Sequence, residues 1–274
     1  MQKLSAGLRA EGKTIGFVPT MGYLHEGHLS LIKKSKQKTD ITVVSIFVNP
    51  TQFAPNEDLK KYPRDLERDK KLLREYGVDY LFLPGENDIY PENFQSFIEV
   101  KNISRILEGE FRPTHFKGVT TIVSILFNSV NPDYAFFGQK DAQQAAIIIQ
   151  MVKDLKFNIK IIVCPIIREH GGLAMSSRNI YLSNEERSDA LILNKSLRTA
   201  EKIIKEGEKS SAKIINASVK MVNSVSSSQL DYLRIVESDT FTEVKKLING
   251  KSYYILIACK IGKTRLIDNV LIKI

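Results

Sequence analysis

Two imidazoles lie three residues apart, with a glycine between them, in Pro19-Thr20-Met21-Gly22-Tyr23-Leu24-His25-Glu26-Gly27-His28. Imidazole can donate a hydrogen bond or carry a proton near neutral pH, and glycine lets backbone approach a ligand closely. A helix beginning here would add unpaired backbone N–H groups and the positive end of its dipole, a combination that favours phosphate. Other segments carry groups of the same kind. Asn49-Pro50-Thr51-Gln52-Phe53 offers amides that can read a small polar substrate, since Gln both donates and accepts. Arg112 and His115 share one loop. Gly138-Gln139-Lys140-Asp141 presents backbone and one cation, and Gln143 and Gln144 follow it. Met175-Ser176-Ser177-Arg178 supplies two hydroxyls and a guanidinium beside Gly171-Gly172, a pattern that suits a mobile phosphate clamp.

Taken singly, each segment also reads as an ordinary turn, and the serine pair as an ST-type turn before a helix. Taken together, His25, His28, Lys140, Ser176, Ser177 and Arg178 are a set of phosphate-directed donors. G-x-x-x-x-G-K-[ST] is absent, as is G-x-G-x-x-G after the first strand, and no carboxylates gather at metal-site density. The chemistry implied is phosphate stabilisation without a protein nucleophile, such as in-line attack of a substrate oxygen on a nucleotide α-phosphate. Asp69 is a weak candidate for Mg²⁺ and reads more simply as a solvated carboxylate on a helix face.

These groups need a scaffold, and the chain alternates strand with helix. Thr14–Val18 is an apolar strand, followed by a helix from about Leu29 to Lys38. Ile41–Val48 is β-branched and nearly continuous, as in a strand buried on both faces. A helix over Leu66–Tyr76 ends at Gly77, strands follow at Asp79–Leu83 and Phe97–Val100, and a helix covers Gly118–Val130. Tyr134–Phe137 is a strand, Ala142–Leu155 a helix and Ile159–Ile167 a long buried strand. This alternation predicts an α/β fold, a Rossmann-like parallel sheet with helices on both faces. In such sheets ligands bind beyond the carboxyl ends of strands, and the chemical groups above fall in those places. Beyond Asn179 come two helices, Glu185–Glu206 with a cap at Ser183 and Ala212–Val225, then a flexible break at Ser226–Ser228. Leu230–Val236, Tyr253–Ile261 and Thr264–Ile272 follow as strands of a small mixed sheet, the last two a hairpin about Gly262-Lys263. The expected organisation is a Rossmann-like domain over residues 1–174 and a smaller C-terminal α+β domain over 175–274, which the resemblance described below implies are the catalytic domain and its lid.

Composition narrows the function classes. The chain of 274 residues can bury a sizeable core, and 43% hydrophobic with 26% charged residues is ordinary for a globular protein. Met1–Gly12 is short, polar and charged, unlike a signal peptide, and no apolar run reaches the roughly 18 residues of a membrane helix. Cys164 and Cys259 sit in apolar runs and read as buried thiols of a reduced, cytoplasmic protein. The net charge of +9 raises the question of nucleic acid, but the lysines are scattered along helices, for example Lys33, Lys34, Lys36 and Lys38. They read as solvated helix faces, with no nucleic acid and no membrane as partner. Two rival readings stay open on these residues alone. One is a nucleotidyltransferase acting on a phosphorylated acceptor, the other an RNA-binding module on a synthetase-like core.

In order along residues 14–183, Pro-Thr-Met-Gly-Tyr-Leu-His-Glu-Gly-His, Asn-Pro-Thr-Gln-Phe, Glu-Gly-x-x-Arg-Pro-x-His-Phe-x-Gly-Val, Gly-x-Lys-Asp-x-Gln-Gln and Leu-Ala-Met-Ser-Ser-Arg-Asn resemble the pantoate–β-alanine ligase (pantothenate synthetase) family. That family belongs to the nucleotidyltransferase superfamily, akin to class I aminoacyl-tRNA synthetases. The resemblance implies a two-step ligase. Pantoate attacks ATP to give pantoyl adenylate and diphosphate, with Mg²⁺ on the phosphates, and β-alanine then displaces AMP to give pantothenate. Carried over by position, Met21, Gly22, Tyr23, Leu24, His25, Glu26, Gly27 and His28 would line ATP, with His28 at the family's proton-donor position. Gly138, Gln139, Lys140, Asp141, Ile167, Met175, Ser176, Ser177 and Arg178 would complete the ATP site. Gln52 and Gln144 would hold pantoate, Gln52 would also meet β-alanine, and Arg112 and His115 would lie nearby as substrate-binding residues. His25, His28, Lys140 and Arg178 are the candidate catalytic residues, and none of the set is a metal ligand. The chain departs from the family's usual residues at Gln139 and at Gly171-Gly172. The resemblance also implies a homodimer.

Overall fold

The computed structural model describes residues 1–55 and 57–274. The elements run α1 (Gln2–Ala10), β1 (Ile15–Thr20), α2 (Glu26–Lys36), β2 (Ile41–Ile46), α3 (Leu66–Glu75), β3 (Tyr80–Phe82), α4 (Glu86–Ile89), α5 (Glu108–Phe111), α6 (His115–Val130), β4 (Tyr134–Gly138), α7 (Ala142–Asp154) and β5 (Lys160–Cys164). After them come α8 (Asn184–Lys205), α9 (Ser211–Val222), β6 (Ser228–Glu237), β7 (Ser252–Ile261) and β8 (Thr264–Lys273). The chain divides into two compact units. One comprises Met1–Gln139 and Gln143–Pro165, the other Lys140–Ala142 and Ile166–Ile274.

The first unit is built on a parallel sheet with strand order β3-β2-β1-β4-β5. Side chains alternate across a strand, so each strand feeds two cores. Ile15, Phe17, Val43, Ala135 and Phe137 enter one cluster with Leu8 of α1, Val119, Ile122, Val123 and Phe127 of α6, and Ala145 and Ile148 of α7. Their neighbours Val18, Val44 and Phe136 enter the other, with Leu29, Leu31 and Ile32 of α2 and Leu73 of α3. The sheet is therefore covered by helices on both faces, as the continuous apolar run in β2 demands. Chain order reverses at β1, whose neighbours are β2 and β4, so the crevice of this fold lies beyond Thr20 and Gly138.

The second unit packs α8 and α9 on an antiparallel sheet of order β6-β7-β8. Its core includes Leu193, Leu197, Ile214, Leu233, Ile255 and Ile257. At the start of α8, Ser183 Oγ accepts from Glu186 N at 3.1 Å while Glu186 Oε2 accepts from Ser183 N at 2.9 Å, the capping box the sequence announces.

Four expectations are corrected. Phe97–Val100 is not a strand: Ile98 N donates to Thr121 Oγ1 at 3.0 Å and Ile98 O accepts from Thr120 Oγ1, so hydroxyls of α6 take the place of a neighbouring strand. β5 stops at Cys164 and is an edge strand, half-buried rather than long and enclosed. The small sheet is antiparallel throughout, not mixed. The serine run is a bonded turn, with Ser227 Oγ on Asp189 Oδ2 at 2.6 Å and Ser228 already in β6. Also, α2 begins at Glu26, earlier than its apolar periodicity suggests, which puts His28 inside the first turn.

Candidate active site

The connection between β1 and α2 is held by its own histidines. His25 is the residue before the helix, and its Nδ1 accepts from Gly27 N at 3.1 Å. His28 reaches back, and its Nδ1 accepts from His25 N at 3.3 Å. The rings lie with centroids 4.1 Å apart. A backbone N–H can donate only to an unprotonated ring nitrogen, so in each neutral imidazole the proton sits on Nε2. Two histidines thus form the reciprocal cap more often built from Ser and Glu.

This changes how the stretch can treat an anion. The sequence suggests that open backbone amides at the helix start would face phosphate. Several amides of the approach are bonded within the protein: Gly22 N donates to Thr20 Oγ1 at 3.1 Å, Tyr23 N and Leu24 N to the carboxylate of Asp69 at 2.7 and 2.8 Å, and His25 N and Gly27 N to imidazole. In this tautomer Nε2 is the N–H-bearing nitrogen of both His25 and His28.

The second cluster of the first unit centres on Gln52, buried just after β2. Tyr90 Oη donates to Asn49 Oδ1 at 2.7 Å, and Thr51 Oγ1 donates to the same atom at 3.0 Å. Burial pushes the Tyr90 hydroxyl above its ordinary pKa, which keeps it a donor. With its oxygen so engaged, Asn49 turns Nδ2 to Gln52 Oε1 at 3.1 Å and to Gly118 O at 3.1 Å. Gln52 is thereby oriented with Nε2 as its donor end, which lies 3.0 Å from Met21 Sδ. Helix α6 comes close enough that a Cβ on Gly118 would stand 2.5 Å from Thr51 O, so this approach requires glycine.

Arg112 and His115 hold the same residue from its backbone side. Arg112 pairs in two-pronged fashion with Glu57, at 2.7 Å on each prong, and Nη2 donates to Gln52 O at 3.2 Å. Its Nη1 lies 3.2 Å from His115 Nε2. Guanidinium can only donate, so Nε2 accepts and Nδ1–H donates to Gln52 O at 2.8 Å. Of the glutamine pair on α7, Gln143 is buried and consumed: Oε1 accepts from Glu108 N, and Nε2 donates to Ile103 O and Ile106 O. Gln144 is half-buried and makes no such bonds among the described residues. Gly138 ends β4, with Gln139 next.

In the second unit, Lys140 Nζ lies 3.3 Å from Asp141 Oδ1, and the Lys140 carbonyl accepts from Asn269 Nδ2 of β8 at 3.0 Å. Ile167 O accepts from Met175 N at 2.9 Å, and the residues between them form a tight hairpin with Gly171-Gly172 at its turn. Ser176 Oγ accepts from Arg178 N at 3.3 Å, so the serine pair does adopt the ST-type turn. Asn179 supports that turn, donating to Glu169 Oε1 at 2.7 Å and Ala174 O at 3.0 Å. Arg187 ties Glu169 to Asn179 O. His170 is exposed on the hairpin. Both cysteines are buried thiols, and burial raises their pKa values, that of Cys259 to about 11.

Tyr90, Glu57, Asn269 and the Glu169–Arg187 pair were not marked by spacing in the sequence. Asn49 carried a signal, as an amide beside the candidate Gln52. Asp69, singled out in the sequence as a weak Mg²⁺ candidate, is buried, not a solvated helix-face carboxylate.

Burial and the Arg112 cation together lower the His115 pKa from 6.5 to about 4. Between those values the unfolded chain binds a proton that the folded chain refuses, so acidification favours unfolding. Replacing His115 with Gln removes that linkage. The melting temperature of the wild type should exceed that of His115→Gln at pH 7, and the gap should narrow by several degrees by pH 5. A gap constant with pH would refute the assigned tautomer and its burial.

Comparison with known proteins gives the family of the chain. A family model described as pantoate-beta-alanine ligase matches residues 1–271. Proteins named pantothenate synthetase from Caldicellulosiruptor bescii and Acetivibrio thermocellus are 53% and 54% identical, covering 100% and 96% of this chain and 96% and 93% of their own lengths. The crystal structure of pantothenate synthetase from Thermus thermophilus superposes with a TM-score of 0.91 at 42% identity, over 97% of this chain and 96% of that one. A pantoate-beta-alanine ligase from Francisella tularensis, described as complexed with beta-gamma ATP and beta-alanine, superposes with a TM-score of 0.78 at 39% identity, over 98% of this chain and 95% of that one. This chain belongs to the pantoate–beta-alanine ligase family.

Proposed function

We propose that this protein condenses pantoate with β-alanine at the expense of ATP, through pantoyl adenylate, releasing AMP and diphosphate. The observation that supports the reading beyond family membership is the mutual cap of His25 and His28, which fixes Nδ1 of each ring as an acceptor and makes Nε2 the nitrogen that carries the proton. A pantoate carboxylate oxygen attacks the α-phosphorus, and the bond from that phosphorus to the diphosphate oxygen breaks. Negative charge grows on the leaving diphosphate, where imidazole N–H groups, Lys140, Arg178 and the Ser176 and Ser177 hydroxyls stabilise it. The β-alanine amine then attacks the acyl carbon, loses a proton, and AMP leaves with its oxygen. The adenylate is already the activated acyl group, so no acyl-enzyme is required.

Met21–His28, Gly138–Asp141, Ile167 and Met175–Arg178 serve ATP. Gln52 and Gln144 serve pantoate, Gln52 through the donor end that Asn49 and Tyr90 impose on it. Both ring nitrogens of His115 are committed to protein, so it and Arg112 act on substrate through Gln52. The phosphate-directed members of this set, His25, His28, Lys140, Ser176, Ser177 and Arg178, carry N–H, hydroxyl and cationic groups, which fit phosphate oxygens rather than a cation. Mg²⁺ would come bound to the nucleotide and neutralise part of its charge there. The C-terminal unit serves as the lid that keeps water from the adenylate. A cytoplasmic homodimer is the working form that the resemblance supports. No helix among the described residues is long and apolar enough to cross a membrane.

The direct assay is AMP formation from ATP. The expected result is a rate that requires both pantoate and β-alanine; AMP release independent of either, or a stable nucleotidylated product in place of AMP, would overturn the assignment. A second test addresses how Gln52 is oriented. Tyr90→Phe deletes one buried hydrogen bond, a loss of about 1 kcal/mol or roughly fivefold. It should raise the KM for pantoate by about that factor and leave the KM for ATP within about twofold. An equal rise in both would show that Tyr90 is merely structural.

A further inference from the structure

We infer that Asp69 is the positioning residue of the nucleotide loop, setting the path of Met21–Leu24 and thereby the placement of the His25–His28 pair. The inference rests on the ATP-binding reading above. Asp69 lies on α3 and is 1% exposed, although Glu67, Arg68, Lys70 and Lys71 around it give that helix a polar sequence. Its two carboxylate oxygens take two successive backbone N–H groups, Oδ2 that of Tyr23 at 2.7 Å and Oδ1 that of Leu24 at 2.8 Å. Arg68, next along the helix, closes the clamp. Its Nη2 donates to Leu24 O at 2.8 Å, its Nη1 lies 3.6 Å from Asp69 Oδ1, and its guanidinium carbon stands 5.1 Å from the centroid of the Tyr23 ring.

The loop so held would not adopt this path unaided. Gly22 and Tyr23 have φ of 80° and 51°, successive left-handed residues. The second is an aromatic residue, for which that region costs on the order of 1 kcal/mol. A Cβ on Gly22 would stand 2.9 Å from Ile46 Cγ2 and 3.1 Å from Asp69 Oδ2, so the turn is wrapped closely around the carboxylate. A buried carboxylate is costly unless its oxygens are bonded, and here the loop's own amides supply the bonds. Loop and carboxylate therefore stabilise each other, and the residues that follow directly are His25 and the start of α2. This use commits both Asp69 oxygens to backbone, which argues against a role as metal ligand. Among the described residues no group of three His, Cys, Asp or Glu could hold a metal ion.

Asp69→Asn keeps the shape of the side chain and one acceptor but turns an amide NH₂ towards a backbone N–H. Binding of a non-hydrolysable β,γ-methylene ATP to the full chain, measured by calorimetry with Mg²⁺ varied separately, reads the outcome. The variant should bind it at least about tenfold more weakly, a size typical of groups displaced near a reacting centre. The pantoate KM and the Mg²⁺ concentration for half-maximal activity should stay within about twofold. Arg68→Met, which releases Leu24 O from the same clamp at a residue not assigned to ATP, should produce an ATP-selective loss in the same direction, and it decides the matter if Asp69→Asn does not fold. Unchanged nucleotide affinity in folded variants would overturn the inference, as would a shift in the Mg²⁺ requirement with nucleotide affinity intact, which would make Asp69 a metal ligand. Failure of the wild type to bind the nucleotide at all would instead overturn the proposed function.

Discussion

The constraint on which the site depends is the satisfaction of backbone amides where β1 passes into α2. A helix start leaves N–H groups that must find partners. In this chain the partners are Nδ1 of His25 and Nδ1 of His28, each serving the other's stretch of backbone. One act of capping therefore decides ring orientation, tautomer and the location of the remaining N–H donors. The loop that leads in is fixed by the same principle, with Asp69 taking the amides of Tyr23 and Leu24. Because these elements sit at the carboxyl end of β1, where strand order reverses, local capping is carried to the crevice of the sheet.

The Gln52 region repeats this logic with amides in place of imidazoles. A side-chain amide is ambiguous until its neighbours settle which end donates. Tyr90 and Thr51 settle it for Asn49, and Asn49 for Gln52. Arg112 and His115 meanwhile grip the Gln52 carbonyl, and the lowered pKa of His115 keeps its ring neutral at working pH. The direction of the Gln52 amide is thus set several bonds away from it. Glu57 completes the chain by neutralising Arg112, whose charge would otherwise be partly buried without a partner.

Much of the scaffold was legible because its causes are local. The uninterrupted β-branched run of β2 specified a strand covered on both faces, and Ser183 with Glu186 specified a helix start. Where the cause is remote the sequence misled. Phe97–Val100 has the composition of a strand, but Thr120 and Thr121 satisfy Ile98 from α6. Asp69 sits among charged neighbours and reads as solvated, yet a loop more than forty positions earlier covers it. The candidate segments were picked out from residue type, from position after strands and from the family resemblance. What could not be read was their internal bonding: imidazole is not a usual capping residue, and Glu57 and Tyr90 bear no spacing relation to Arg112 and Asn49. Periodicity reports which face is buried, not which nitrogen accepts.

In the proposed reaction the chain activates a carboxylate as its adenylate before any amine takes part. The measurement closest to that claim is exchange of labelled diphosphate into ATP. With pantoate present and β-alanine absent, the wild type should support exchange, and His28→Ala should slow it by more than about tenfold, as expected on removing one donor of developing charge. Exchange that requires β-alanine, or that proceeds at the wild-type rate in His28→Ala, would contradict it.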